Sequence, residues 1–491
     1  MSCNNKPFIK KFEFDKKFYI YDVNTNSFFN VDEPVYTLID RNGSLDKSNF
    51  LEKYPKRKIE EAQKNIDAMM EKGYFSSNRP QITYFHTIAR DNFPEFLKEI
   101  LTRKLHKITL VVSEDCNMRC RYCAYSGKYF YNRKHSKNLM DIETMKKAVD
   151  FYFSHSIENP EKYLSFYGGE PLLNFQLIKE CINYVKDRYS TTANYIMTTN
   201  GSLLKKEVVN FLVENNFTLL VSLDGSEDIQ NKYRVFKNGK GTFDCVMKNL
   251  KAMKEIHPEY YAQKVRLSIV LTPDLDFEQL NEFISNPDIE PSGVSISYVN
   301  DRFTTFFDQF SEKKIKTFYE KRRKNRDAFF RKIIEGEELN YIEKNMFRKK
   351  FFSLHRRSME KLSSKFPSNG QCMLGERALL VKADGSFNFC TRVDDAFNLG
   401  NIENGYDYTR IEQIYSDMDK LFEERCAGCW AIRLCMKCIN DVNKNGEVDR
   451  ESFETFCSAR KQAILNEIKD YIKIRESNYH ALDYLEEVTL T

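Results

Sequence analysis

Three cysteines stand close together in the segment SEDCNMRCRYCAYSG. Cys116, Cys120 and Cys123 follow the spacing C-x3-C-x2-C, which brings three thiolates onto one loop. Soft thiolates suit zinc or iron–sulfur ions. Three protein ligands on a four-iron cluster leave one iron open, and an open coordination site implies reactivity. This loop is therefore the first candidate metal site.

Seven further cysteines cluster near the C-terminal end, and seven thiolates need more than one metal. They are Cys372, Cys390, Cys426, Cys429, Cys435, Cys438 and Cys457. The run C-x2-C-x5-C-x2-C among them also fits a zinc ribbon, which is the alternative to iron–sulfur clusters. Cys3, Cys181 and Cys245 fall outside both groups, and we assign them no role. The 13 cysteines favour reduced thiolates that bind metal over a disulfide framework.

Other candidate residues directly follow short apolar runs. Gly168, Gly169 and Glu170 come after YLSFY. Glycine lets the backbone approach a ligand, and a carboxylate complements an ammonium. These residue types suit the binding of a small charged cofactor.

Three more candidates follow the later apolar runs. Asn200 lies after NYIMTT and Ser222 ends FTLLVSL, although the nearby Asn-Gly and Asp-Gly pairs also fit ordinary turns. Arg234 can bind a carboxylate through two N–H groups, or it can form a surface salt bridge.

These candidates require a scaffold that brings several loops together. Six apolar runs alternate with amphipathic helical segments between residues 100 and 305, and they read KITLVV, YLSFY, NYIMTT, FTLLVSL, VRLSIVLT and GVSISYV. Such alternation predicts an α/β fold with parallel strands and helices outside. In barrels of this kind the loops after the strand C-termini form the active site.

The first 85 residues predict a separate unit. FIKKFEFDKKFYIYDVNTNSFFNV has the pattern of a β-hairpin, and the two segments PVYTLIDRNG and KRKIEEAQKNIDAMMEKGYF have helical patterns. Strands followed by a helical pair suggest a winged-helix domain. It has no paired acid and base, so we expect binding or packing, and its strand edge can accept an extended peptide.

Positive charge is concentrated in one stretch. The net charge is +5, whereas residues 311–361 alone hold 17 Lys and Arg against 8 Asp and Glu. Helical spacing there predicts amphipathic helices inserted at residues 306–365. We favour a solvated helix face, allow steering of an acidic peptide, and consider a nucleic-acid surface less fitting.

The composition excludes several classes of protein. No apolar run reaches the length needed to cross a bilayer and the start is not signal-like, so we expect a soluble cytoplasmic protein without membrane or nucleic-acid partners. The seven histidines are scattered singly, which indicates no hydrolytic site. We therefore expect no catalytic residue beyond the cofactor ligands.

The cysteine triad after the first strand and the Gly-Gly-Glu-Pro segment after the second resemble the radical S-adenosylmethionine (SAM) superfamily. The resemblance implies a partial (β/α)6 barrel in which Cys116, Cys120 and Cys123 hold a [4Fe–4S] cluster. By the same resemblance, reduction of that cluster cleaves SAM to a 5'-deoxyadenosyl radical that abstracts hydrogen, with flavodoxin or ferredoxin as electron donor. The implied SAM-binding residues are Tyr122, Gly168, Gly169, Glu170, Asn200, Ser222 and Arg234.

The C-terminal cysteines resemble the SPASM domain, over residues 366–462, with a C-terminal helix and tail at 463–491. The resemblance implies two auxiliary [4Fe–4S] clusters. One would use Cys426, Cys429, Cys435 and Cys457, and the other, with an open iron, Cys372, Cys390 and Cys438. Many SPASM members have three residues where Cys435 and Cys438 enclose two, so the individual ligands stay open.

The segment YIYDVNTNSFFNVDEPVY is similar to the peptide-recognition element of ribosomal-peptide maturases. With the other two resemblances in this order, it implies an enzyme that crosslinks a ribosomally made precursor peptide, whose leader binds the N-terminal domain. Thioether bonds from cysteine sulfur to carbon are the leading expectation. Carbon–carbon crosslinking or epimerisation are the alternatives within this class.

Two competing interpretations come from other classes. An anaerobic sulfatase-maturating enzyme forms formylglycine with similar parts, but that family usually has an acidic residue after a SPASM cysteine, whereas Thr391 and Arg392 follow Cys390 here. A non-catalytic electron-transfer protein would lack a SAM pocket, and the Gly-Gly-Glu-Pro segment disfavours it.

Overall fold

The computed structural model describes residues 6–39, 53–83, 92–347, 351–367, 372–392 and 394–486, and every structural statement below concerns these residues. Cys3 lies outside them. None of the described helices is long and apolar enough to cross a membrane.

The central feature is a sheet of six neighbouring parallel strands. Their order in the sheet follows their order in the chain, as the alternating apolar runs predict. The strands are β5 (Lys107–Ser113), β6 (Tyr163–Gly168), β7 (Asn194–Thr199), β8 (Thr218–Ser222), β9 (Val265–Leu271) and β10 (Gly293–Tyr298). The carboxyl ends of all six strands therefore lie at one edge of the sheet.

One helix precedes the first of these strands, and the others connect the strands. A side-chain cap begins one of them, because Asp141 accepts a hydrogen bond from the backbone N–H of Thr144. The helices are α3 (Phe93–Arg103), α4 (Ile142–His155), α5 (Phe175–Tyr189), α6 (Lys206–Glu214), α7 (Glu227–Tyr233), α8 (Phe243–Ile256), α9 (Pro258–Lys264) and α10 (Phe277–Ile284).

The cysteine-rich segment extends this sheet. Strand β12 (Leu379–Val381) pairs in parallel with β5, and β13 (Phe387–Asn388) pairs antiparallel with β12. The sheet thus has eight strands. Cys390 follows β13 by two residues, so this pairing brings it to the sheet that carries the Cys116 loop.

The N-terminal unit is a three-stranded antiparallel sheet with two helices. Its strands are β1 (Ile9–Phe14), β2 (Lys17–Asp22) and β3 (Ser27–Val31), and its helices are α1 (Glu33–Leu38) and α2 (Lys56–Glu71). The predicted hairpin corresponds to β2 and β3, and β1 adds a strand on one side. Buried Asp22 links this sheet to the segment after α2, because its carboxylate accepts a hydrogen bond from the Phe75 N–H at 3.2 Å.

The N-terminal unit is anchored to the cysteine-rich region. The Arg433 guanidinium donates to the carbonyl oxygens of Asn24 and Glu360 at 3.0 and 2.8 Å. The Tyr21 ring meets the edge of the Trp430 ring, with 6.4 Å between centroids. Since Trp430 follows Cys429 directly, the N-terminal sheet packs beside a cysteine group.

The basic stretch is helical, as the spacing predicts. Ser311 caps the first of its helices, α11 (Glu312–Glu335), by accepting a hydrogen bond from the Lys314 N–H, and Gly336 ends it at a φ of 74°. Two short helices follow, α12 (Tyr341–Met346) and α13 (Phe352–His355).

Six short strands and three α-helices remain among the described residues. The helices are α14 (Tyr408–Cys426), α15 (Ile439–Val442) and α16 (Arg450–Ser477). The strands are β4 (Gln81–Thr83), β11 (Lys365–Pro367), β14 (Gly400–Asn401), β15 (Gly405–Tyr406), β16 (Asn443–Lys444) and β17 (Glu447–Val448). The last helix begins at Arg450, before the boundary predicted at residue 463, and therefore carries Cys457.

Candidate functional site

A cavity of about 630 Å³ opens at the carboxyl ends of the parallel strands. It is lined by most of the residues that the sequence singles out. These are Cys116, Cys120, Tyr122, Cys123, Gly168, Gly169, Asn200, Ser222 and Arg234. The sheet topology explains this meeting, because each of the contributing loops follows a strand at the same edge.

The cysteine loop presents three sulfur atoms to this cavity. The backbone N–H of Met118 donates to Cys116 Sγ, and that of Tyr125 donates to Cys123 Sγ, each at 3.4 Å. Burial raises the pKa of Cys116 to about 11 and that of Cys120 to about 12. Ionised thiolates in this place therefore need a bound cation or cluster, whose binding releases the protons.

The two glycines allow the neighbouring loop to pack against the cysteine loop. A Cβ added at Gly168 would lie 2.1 Å from the Ser113 carbonyl oxygen, and one added at Gly169 would lie 2.1 Å from the Asp115 carbonyl oxygen. The Gly169 N–H donates to the Ser113 carbonyl oxygen at 2.7 Å. The close approach that requires glycine is thus an approach to the protein's own backbone.

Glu170 is fully buried and does not line the cavity. Its carboxylate accepts three hydrogen bonds, from Thr199 Oγ1 at 2.7 Å, the Asn200 N–H at 2.7 Å and the Leu172 N–H at 3.2 Å. Burial raises the pKa of Glu170 to about 7, although these donors favour the ionised form. In this structure the Glu170 carboxylate holds the loop after β7. Its residue type suggests contact with a cofactor ammonium group instead.

Asn200 connects that loop to the first cysteine. Its side-chain amide donates to Asn117 Oδ1 at 2.8 Å and to Cys116 Sγ at 3.7 Å. Its Oδ1 accepts a hydrogen bond from the Ser202 hydroxyl at 2.6 Å. The orientation of Cys116 is thereby coupled to the loop that Glu170 holds. Ser222 lines the cavity at the end of β8.

Arg234 is paired with a buried carboxylate of the same chain. Its Nε donates to Asp224 Oδ2 at 2.9 Å, and its Nη1 lies 3.8 Å from Cys120 Sγ. The Tyr122 hydroxyl also donates to Asp224. Asp224 is the residue that sequence reasoning missed, because its Asp-Gly pair resembles an ordinary turn.

Breaking this pair is expected to destabilise the protein. Arg234→Ala leaves the Asp224 carboxylate buried without its cation and should lower the free energy of unfolding by about 3 kcal/mol. Urea unfolding under anaerobic conditions measures the change. Arg57→Ala removes an exposed ion pair with Glu61 and should cost less than about 1 kcal/mol. Equal losses in the two variants would contradict this account.

The seven C-terminal cysteines separate into two sets. Burial raises the pKa of the Cys426 thiol to about 11, and three neighbouring thiolates act in the same direction, namely those of Cys429, Cys435 and Cys457. Burial also raises the pKa of Cys438, which the charges of Cys372 and Cys390 raise further. We call these the four-cysteine set and the three-cysteine set.

Sequence neighbours of the three-cysteine set line the large cavity. Burial raises the pKa of Tyr167, and the charges of Cys123 and Cys390 raise it further, so this ring lies near both cysteine groups. Tyr167 itself lines the cavity, as do Thr391 and Arg392 next to Cys390 and Asn440 near Cys438. The triad cysteines therefore line the cavity directly, and sequence neighbours of Cys390 and Cys438 line it from another part of the chain.

Comparison with known proteins decides the nature of the central domain. Residues 110–285, which carry the cysteine triad and the strands around the cavity, match the radical SAM superfamily. The chain contains a radical SAM domain. This segment covers most of β5 and all of β6–β9, and the relatives of this chain include enzymes.

Sequence relatives include anaerobic sulfatase-maturating enzymes. The cysteine-type enzyme of Clostridium novyi (strain NT) is 32% identical over 161 residues, which span 32% of this chain and 42% of that protein. The chain spans less than half the length of the curated relatives that it matches at 30% identity or more. The cysteine-type enzyme of Clostridium perfringens (strain ATCC 13124) is 23% identical over 364 residues, 71% of this chain and 92% of that protein.

A solved structure shares the fold. Native anSMEcpe with bound SAM and the Kp18Cys peptide superposes with a TM-score of 0.53 at 18% identity, over 78% of this chain and 99% of that chain. The similarity confirms the α/β radical SAM fold with its parallel sheet.

Radical SAM domains use SAM and a [4Fe–4S] cluster, and the cavity fits both cofactors. Three thiols share one cavity, amide donors already contact two of the sulfur atoms, and about 630 Å³ of space adjoins them. Cys181 and Cys245 lie elsewhere, the first fully buried in α5 and the second in α8. These two positions fit packing.

Proposed function

We propose that this chain is a peptide maturase that crosslinks a ribosomally synthesised precursor peptide, forming thioethers between cysteine sulfur and carbon. The radical SAM domain, when loaded, supplies a 5'-deoxyadenosyl radical that removes a hydrogen atom from carbon. The protein's own task is then to hold a peptide carbon and a peptide thiol in the same cavity.

One observation carries this proposal. Residues adjacent to the three-cysteine set line the cavity that the triad loop also lines: Thr391 and Arg392 follow Cys390, and Asn440 lies two residues after Cys438. Three thiolates suit an iron–sulfur cluster with one iron open to another ligand, and a substrate thiolate is a soft ligand of the right kind. A peptide cysteine held there would stand beside the site where the carbon is activated.

The remaining cysteines support a second auxiliary cluster. Burial and mutual proximity group Cys426, Cys429, Cys435 and Cys457, which together offer four thiolates. Four cysteines complete the ligands of a [4Fe–4S] cluster and leave no open iron. This cluster would pass electrons from a flavodoxin or ferredoxin, and the segment 366–462 would then act as a SPASM domain.

Contacts to SAM are assigned within the same cavity. Tyr122 and Arg234, tied together by Asp224, would form one wall of the SAM pocket. Gly168, Gly169, Asn200 and Ser222 would form the other. We assign Glu170 an indirect part, since its hydrogen bonds position Asn200.

The N-terminal unit would hold the leader segment of the precursor. Its three strands and two helices suit a winged-helix recognition element, and the strand at each side of the sheet pairs with only one neighbour in that sheet. An extended peptide can add to such an edge through backbone hydrogen bonds.

Formylglycine formation is the second candidate, favoured by the similarity to the Clostridium perfringens enzyme along 71% of the chain. Against it, Thr391 and Arg392 line the cavity after Cys390, where the sulfatase-maturating family usually has an acidic residue. A guanidinium is protonated at neutral pH and cannot accept a proton there.

The test is a mass measurement on a candidate precursor, namely any short cysteine-containing peptide encoded beside this gene. The peptide is co-expressed with the enzyme under anaerobic conditions, fully reduced, and alkylated at free thiols. We expect the peptide to lose two hydrogen atoms per link, and the linked cysteines to be no longer alkylated. The same loss with alkylated thiols would mean carbon–carbon links and would overturn the thioether assignment.

A parallel reaction separates the second candidate. A sulfatase-derived peptide with the target cysteine is incubated with the loaded enzyme and SAM. Conversion of that cysteine to an aldehyde, together with an unchanged precursor peptide, would establish formylglycine formation. A Cys390→Ala variant serves as the matched control, since it should keep SAM cleavage and lose the crosslink.

A further inference from the structure

Helix α11 has one side with partnered cations and a buried side. Lys321 forms an ion pair with Asp276 at 2.9 Å, and Lys314 lies 3.8 Å from Asp274, so this side is tied to the loop before α10. Phe318 and Phe329 are buried against the protein. These contacts fix the rotation of the helix about its axis.

The other side of α11 carries cations without acidic partners. Lys316, Arg322 and Arg323 form no ion pair with an acidic residue in the described part of the chain, and Tyr319 beside them is 56% exposed. Residues 316, 319 and 323 are spaced by three and four, so they share one side of the helix. Exposed aromatic rings beside arginines are common in recognition surfaces.

One of these cations contacts a residue that lines the cavity. The Arg322 guanidinium lies 5.1 Å from the centroid of the Tyr298 ring, and Tyr298 at the end of β10 lines the cavity while remaining 45% exposed. Arg392 lines the same cavity and is exposed. Positive charge is thus placed at the cavity entrance from two directions.

We propose that Tyr298, Lys316, Tyr319, Arg322 and Arg323 form a rim patch that binds an acidic segment of the peptide substrate next to the residue being modified. The proposal rests on the peptide-maturase function above. It adds that the substrate peptide is negatively charged next to the residue that is modified. The arginines and the lysine complement carboxylates, and the tyrosines supply rigid contact area. A helix side that is merely solvated would not need an exposed tyrosine of its own beside an arginine that contacts the cavity residue Tyr298.

The chain offers a matched control on the same helix. Lys313 and Lys324 are exposed, form no ion pair with a described acidic residue, and lie eleven residues apart, about three turns. At 100° per residue they lie on the side of α11 opposite Arg322, which is the cation that contacts Tyr298. The double variant Arg322→Glu/Arg323→Glu and the control Lys313→Glu/Lys324→Glu change the net charge equally.

The probe is a fluorescein-labelled peptide with one cysteine flanked by glutamates, and its counterpart has lysine in place of every glutamate. Fluorescence anisotropy with the loaded enzyme and SAM measures binding. We expect the glutamate peptide to bind the wild-type enzyme more tightly than the lysine peptide. The rim variant should weaken its binding about tenfold and the control variant less than about threefold.

Several outcomes would overturn the rim patch. If both double variants weakened binding of the glutamate peptide equally, the peptide would be attracted only by the overall positive charge of the helix. Equal binding of the two peptides, or unchanged binding by the rim variant, would also refute it. The proposed function is tested independently of the rim patch, because the mass measurement on the precursor can succeed or fail whatever charge the site prefers.

Discussion

Replacing Cys116, Cys120 and Cys123 together by alanine is expected to remove about four iron atoms per chain and to abolish SAM cleavage. All three sulfur atoms lie in the cavity that the radical SAM domain forms at its strand ends. Without them no thiolate remains in the loop to hold the cluster. Iron analysis and chromatographic detection of 5'-deoxyadenosine after anaerobic reconstitution measure the two effects.

Two other cysteines provide the control for this experiment. Cys181 is fully buried in α5, and Cys245 lies in α8, where its thiol donates to the Ser202 carbonyl oxygen at 3.6 Å. The double variant Cys181→Ala/Cys245→Ala should retain the iron content and the SAM cleavage of the wild-type enzyme. If the triple variant kept its SAM cleavage, the assignment of the first cluster would be wrong.

Much of the central domain is readable from the sequence because its signals are local. The alternation of apolar runs and amphipathic helices predicts six parallel strands, and these appear in the predicted order. The same order explains why the loops that contain Cys116, Gly168 and Ser222 meet at one cavity. Parallel strands place their carboxyl ends together, so a local pattern determines this long-range result.

Other features depend on contacts between distant residues, which carry no local pattern. Glu170 has the chemistry of an ammonium ligand, but its actual partners belong to the loop after β7. Arg234 has the chemistry of a carboxylate ligand, and Asp224 of the same chain satisfies it. In both cases the side-chain type predicts the kind of partner, and only the fold determines which partner is reached.

The sheet extension by β12 is a further example. Leu379–Val381 is too short and too apolar to be distinguished from a buried turn by periodicity alone. Its pairing with β5 nevertheless places Cys390 near Tyr167 and the Cys116 loop. The closeness of the two cysteine groups, on which the proposed reaction depends, could therefore not be predicted from spacing.

Glu170→Ala is expected to lower the free energy of unfolding by about 4 kcal/mol near pH 6 and to weaken SAM binding strongly. The variant leaves three donors without their acceptor in a buried place, those of Thr199, Asn200 and Leu172. Asn200 also contacts Cys116 Sγ, so the cluster loop loses a support. Anaerobic urea unfolding measures the stability, and equilibrium dialysis with labelled SAM measures the binding.

The cost of this substitution should depend on pH in a defined direction. Burial raises the pKa of Glu170 from 4.5 in the unfolded chain to about 7, so folding takes up a proton between these values. The folded state therefore loses stability from this group as the pH rises through that window. Alanine does not titrate, and the destabilisation should be about 1 kcal/mol smaller near pH 8 than near pH 6.

Glu214→Ala separates this effect from the general loss of a carboxylate. Glu214 is exposed at the end of α6, on the helix that follows the Asn200 loop, and its removal should change the free energy of unfolding by less than about 0.5 kcal/mol. A destabilisation by Glu170→Ala that stayed the same between pH 6 and pH 8 would contradict the raised pKa. It would show that the donors around this carboxylate outweigh its burial and keep it ionised in the folded state across this range.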